Sequence, residues 1–183
     1  NLSGRVEIRD VSISYQQKPA LKNVSLQLNP GTRTAILGPT AAGKTQLLYM
    51  LTGLLQPDSG EILFDGKPLL DYERQSFHRQ LAIVFQESIL FNMSVRDNVA
   101  FAQSIEEAAW RRALDTAELG AFLQQLPEGE NTIVSERGTS LSGGQKQRLM
   151  LARALALNPK ILLLDDFTAR VDGPTERKIL QNL

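Results

Sequence analysis

The chain has 183 residues, enough for one sizeable core and too few for two ordinary domains. Twenty basic and twenty acidic residues cancel, so no global field favours nucleic acid or an anionic membrane surface, and no nucleic-acid partner is expected. Cysteine is absent, which excludes a disulfide framework, a thiolate metal site and cysteine catalysis, and fits a reducing cytosol.

The first predicted strand covers residues 5–15, where Val6, Ile8, Val11, Ile13 and Tyr15 alternate with polar neighbours apart from a slip at Arg9-Asp10 that predicts a bulge. Residues 24–28 alternate as well. Pro30-Gly31 then turns the chain into a predicted strand over 32–37 that delivers Gly38. A helix over 43–54 follows, with Leu47, Leu48, Leu51 and Leu54 on one face. Residues 61–64 and 81–85 read as further strands, separated by a helical piece at 73–80. From Ser88 the character turns helical. Ser104 and Glu107 have capping-box spacing, and Trp110, Ala113, Leu114 and Ala117 form a core-facing stripe. The longest apolar runs, such as 161–164, fall far short of the roughly 20 residues that span a bilayer. The start Asn1-Leu2-Ser3-Gly4 has neither an initiator Met nor a signal-peptide profile, so a longer parent protein is expected.

Three short runs carry the chemistry. GPTAAGKT at 38–45 fits G-x-x-x-x-G-K-[ST], in which backbone N–H groups of Gly38, Pro39-Thr40, Ala41, Ala42 and Gly43 wrap phosphate oxygens, proline contributing none. Lys44 reaches the β and γ phosphates and the Thr45 hydroxyl holds Mg²⁺ in that pattern. The bland alternative is a glycine turn before a helix. Ala41 and Ala42 cannot take a positive φ without strain. ILLLD at 161–165 is an apolar run of the kind buried on both faces of a parallel sheet, and Asp165 at its carboxyl end is a Mg²⁺ candidate beside the phosphate loop; without that loop, an acidic turn after a core strand is the favoured reading. LSGGQ at 141–145 gives Ser142 and Gln145 capping-box spacing at the head of a helix to about Leu157. Gly143 and Gly144 are costly there unless something approaches the backbone closely.

In this order the three runs resemble the ATP-binding cassette (ABC) family, the motors of ABC transporters, over nearly the whole chain. The resemblance implies an α/β fold: a P-loop core with an antiparallel β subdomain at the amino-terminal end and an α-helical subdomain. The expected division is 1–87 for the core, 88–158 for the helical part and 159–183 for the return to the core. It implies ATP and Mg²⁺ as ligands, with Ser142, Gly143, Gly144 and Gln145 facing the γ phosphate held by a second cassette. Tyr15 corresponds to the adenine-stacking aromatic, although on pattern alone it is equally a core tyrosine. Gln86 matches the glutamine that touches Mg²⁺ and the attacking water, making Thr45, Gln86 and Asp165 the metal set. Asp172 falls in the loop that crosses the dimer interface.

Asp166 stands where active members usually have Glu, so a slow site and a heterodimeric partner carrying Glu are expected. TIVSERG at 132–138 and AIVFQESILFNMSVRDN at 82–98 are similar to exporter cassettes, implying a transmembrane exporter domain and a place at the cytoplasmic face of the cell membrane. The single histidine, His78, is not the family's switch histidine, whose strand comes after residue 183; a weakened sheet is expected. The rival readings are a regulatory ATP-sensing cassette and a soluble ABC ATPase of translation or DNA repair.

Overall fold

The computed structural model describes residues 1–15, 18–101, 104–134 and 141–183, with the Tyr15 side chain outside that description. It divides into two compact units, Asn1–Leu81 and Ala82–Leu183.

In the first unit, β1 (Val6–Tyr15) is flanked by β2 (Lys18–Leu28) and β3 (Ser59–Phe64), both antiparallel, and β4 (Lys67–Pro68) adds to β3. The alternation read from sequence sets the buried face: Val6, Ile8, Val11 and Ile13 are all buried. The predicted bulge is present, since register shifts between Ile8 and Val11 and Asp10 takes φ 48°. Ser25 pins it, accepting from the Asp10 N–H at 2.9 Å and donating to its carboxylate at 3.0 Å. α2 (Arg74–His78) is capped by the Glu73 carboxylate and delivers Phe77 edge-on to Phe64, ring centres 4.8 Å apart.

Two expectations fail here. Residues 32–37 form no strand, and Leu37 is 91% exposed. Strands exist through their ladders, and the sheet of this unit is built from β1 to β4 without the run at 32–37. The helix α1 (Lys44–Leu51) stops short of Leu54 because the Thr52 hydroxyl bonds the Tyr49 carbonyl and Gly53 turns left-handed, so Leu54 stays exposed while Leu47, Leu48 and Leu51 are buried.

The second unit is built around α6 (Gly143–Ala156), which packs against α3 (Val95–Ala100) and α4 (Glu107–Thr116). Leu149, Leu151 and Ala152 of α6 share a core with Val95, Val99, Leu119 and the predicted stripe of Trp110, Ala113, Leu114 and Ala117. Ser104 does not cap α4. Glu106 occupies the cap position, and Glu107 is drawn instead into ion pairs with Arg96 at 2.9 Å and Arg111 at 3.0 Å. β5 (Leu81–Val84) pairs with β8 (Ile161–Leu164), and β6 (Met93–Ser94) with β7 (Ile133–Val134). Leu162 and Leu164 are only half-buried, so β8 is covered less completely than its apolar run predicts. α5 (Gly120–Gln124) and α7 (Gly173–Asn182) complete the unit, α7 capped by Asp172, whose carboxyl is held below its usual range by the Thr175 N–H it accepts.

Candidate functional site

The phosphate-loop sequence lies wholly in the first unit. Gly43 sits at the N-cap of α1 with φ 87°, and a Cβ there would lie 2.7 Å from the Ala20 carbonyl oxygen and 2.6 Å from Leu21 Cδ2. Only glycine fits the turn. Ala41 is left-handed too, with φ 64°, so the strain expected of alanine at such an angle is present, at about 1–2 kcal/mol. Gly43, as the N-cap of α1, brings no side chain to cap its first N–H groups, and the first turn carries no acid. The Lys44 ammonium folds onto the same loop, donating to the carbonyls of Gly38 at 2.7 Å and Pro39 at 2.8 Å. A positive group and an uncapped helix start therefore occupy one bend, the arrangement that receives an anion. Thr45 follows in the first turn of α1, half-buried. Tyr15 ends β1 opposite Lys18, and its proposed stacking role lies outside the described residues.

The second unit gathers the acidic and signature residues. Asp165 continues β8, its N–H donating to the Val84 carbonyl at 2.9 Å, and it is buried. Asp166 turns left-handed, φ 48° and ψ 34°, and stands exposed. Gln86, two residues beyond β5, donates from Nε2 to Asp166 Oδ2 at 3.3 Å. The structure thus brings together Gln86 and Asp166, 80 residues apart in sequence. That bond is long for a well-formed one.

At the head of α6 the capping box forms as expected: Ser142 Oγ accepts from Gln145 N–H at 3.2 Å, and Gln145 Oε1 accepts from Ser142 N–H at 2.8 Å. The glycine pair has a second reason beyond any ligand. A Cβ at Gly144 would stand 2.7 Å from the Arg170 carbonyl oxygen, and one at Gly143 would stand 3.1 Å from Arg170 Cδ. The loop preceding Asp172 lies against the signature turn of the same chain.

Two buried polar groups were not evident from the motifs. Asn98, almost wholly buried, donates to the carbonyls of Phe91 at 3.0 Å and Ser94 at 3.0 Å and accepts from Phe91 N–H at 2.9 Å, which fixes the chain beyond Gln86. Arg153 donates to the Asn98 carbonyl at 2.7 Å and the Ile89 carbonyl at 3.0 Å; burial pushes its guanidinium down to about 10, where it still carries charge at neutral pH. Gln147 is the other. Its place one turn before Met150 and Leu151, on the buried face of α6, was the available signal. Of the exporter-like TIVSERG run, Ile133 and Val134 form β7, and residues 135–138 lie outside the described residues.

A sequence model of the family described as ABC transporter matches residues 21–169. The chain belongs to the ABC transporter family. This cassette is 43% identical over 185 residues to antigen peptide transporter 2 of Mus musculus, covering 99% of this chain and 26% of that protein. It is 39% identical over 183 residues to the ATP-dependent lipid A-core flippase of Hahella chejuensis, covering 97% of this chain and 31% of that one. A solved structure of a bacterial Atm1-family ABC exporter with ATP bound superposes with a TM-score of 0.90 at 36% identity, over 100% of this chain and 32% of its own. The expected fold and the expected membership of the ABC transporter family are thereby borne out. The cassette spans about a quarter to a third of the length of these relatives. Among the described residues no helix is long and apolar enough to cross a membrane.

Proposed function

We propose that this cassette binds MgATP on its phosphate loop and, facing a second cassette head to tail, hydrolyses it to drive export through a transmembrane domain of the parent protein at the cytoplasmic face of the cell membrane. The observation that carries the reading is the glycine-bent, uncapped start of α1 behind Lys44, in the same chain as a second helix start bearing LSGGQ. In this reading the N–H groups of Gly38 and residues 40–43 and the Lys44 ammonium hold the phosphates, and Tyr15 stacks on adenine. Ser142, Gly143, Gly144 and Gln145 face the triphosphate of the partner cassette. The Thr45 hydroxyl, Gln86 Oε1 and the Asp165 carboxylate are the oxygen donors that would hold Mg²⁺. When bound, that ion neutralises charge on the phosphate oxygens. The core, from 1–87 and 159–183, and the helical part, 88–158, act as one domain.

Asp166 is the group that takes the proton from the attacking water, oriented by Gln86. Aspartate is one methylene shorter than glutamate, and its carboxylate meets Gln86 at 3.3 Å, so the water is held poorly and turnover at this site is slow. The partner is then a different subunit with Glu at this position. The same observation favours a second reading, a regulatory cassette in which ATP glues the dimer and is never cleaved here; single-turnover hydrolysis separates the two. Introducing Asp166→Glu into the assembled parent protein is expected to raise turnover about tenfold, and an unchanged rate sinks the slow-site reading.

A further inference from the structure

We propose that Gln147 is a positioning residue that sets Gln86 against Asp166, so that the helix carrying the signature turn also governs the water-orienting pair of its own chain. The inference rests on the proposed function. Gln147 lies on α6 just after the signature turn and is 1% exposed. Its Nε2 donates to the backbone carbonyl of Gln86 at 2.8 Å, while the side chain of that same residue donates to Asp166 at 3.3 Å. Gln86 lies beyond the end of β5, past the bond from Asp165 N–H to the Val84 carbonyl, so the ladder does not hold it.

The other end of the carboxamide sharpens the point. Gln147 Oε1 is buried and meets no donor among the described residues. Leucine or methionine would fill this apolar face without leaving an acceptor unsatisfied, so local packing gives no reason for an amide. What the amide does accomplish is the single bond to the Gln86 carbonyl. At its head, α6 also packs Gly144 against the Arg170 carbonyl. One rigid helix therefore touches the chain on both sides of the Gln86 and Asp166 pair, and a shift of its signature end displaces the pair with it.

The test uses the full parent assembly with Gln147→Met, which keeps length and volume and removes the donor. Amide hydrogen exchange over residues 85–91 is expected to quicken about tenfold while residues 149–156 in α6 stay protected. Unchanged exchange over 85–91, or a general loss across α6, overturns the proposal. Single-turnover ATP hydrolysis is expected to slow about tenfold with KM for ATP unchanged, and to slow no further when Gln147→Met is added to Gln86→Ala. Additive losses, or a raised KM, overturn it equally. If Gln147→Met does not fold, Gln147→Asn, polar but too short to reach, takes its place in both measurements. An assembly whose wild type never cleaves ATP ends the proposed function instead, and the exchange measurement then decides this inference by itself.

Discussion

The starts of α1 and α6 are both preceded by glycine-containing turns that the family reading aims at phosphate, yet they are finished differently. α6 is complete without a ligand: Ser142 and Gln145 satisfy each other's backbone N–H groups, and Gly144 is held against Arg170. α1 has no capping side chain, a left-handed alanine and glycine in its approach, and a lysine folded onto the loop carbonyls. One end is stable as it stands, and the other is held open with backbone strain. A ligand therefore has more to contribute at α1, whose N-cap residue brings no side chain, than at α6, where it meets groups already paired.

The comparison is broken most severely by Gly43→Ala, which adds a methyl group within 2.8 Å of Ala20 and Leu21 at a φ of 87°. Strain and clash together are expected to cost about 3 kcal/mol in chemical denaturation and to abolish stabilisation by ATP. Gly144→Ala meets the Arg170 carbonyl at 2.7 Å, but no positive φ is involved. Its expected cost is smaller, about 2 kcal/mol, and ATP binding to the cassette's own phosphate loop should survive, as calorimetric titration can check.

How much of this could be read from the sequence depended on how local each cause was. The alternation of β1, its bulge, the Trp110 stripe and the capping box of α6 all follow from residues within a few positions of one another, and all are present. The strand expected over 32–37 depended on a ladder partner, which no local pattern reveals. The cap expected at Ser104 failed because Glu107 is claimed by Arg96, brought close by the fold. Gln86 and Asp166 were legible as separate positions in a family pattern, whereas their bond, and the grip of Gln147 on the Gln86 carbonyl, exist only once α6 is packed. The reason for Gly144 was half legible: close approach to the backbone was expected, and one approaching group is the chain's own carbonyl.

Ser142→Ala sharpens the contrast without a clash. Removing the hydroxyl deprives Gln145 N–H of its acceptor, at an expected cost of about 1 kcal/mol whether or not nucleotide is present. A loss that appears only with ATP would mean that the cap is not the main task of Ser142, and that α6 resembles α1 more closely than its geometry says.

The smallest expected effect runs in the opposite direction. Ala41→Gly relieves a side chain held at φ 64°, worth about 1–2 kcal/mol, but loosens the unfolded chain by about 0.4–1 kcal/mol, so the net should be a gain of about 0.5 kcal/mol. Because the relief comes from the loop itself, the gain should be the same with and without nucleotide, in thermal melts of the parent assembly. A gain only in the nucleotide-free protein would mean that ATP binding moves Ala41 out of the left-handed region. The strain would then belong to the open state of the phosphate loop alone, released each time the site fills.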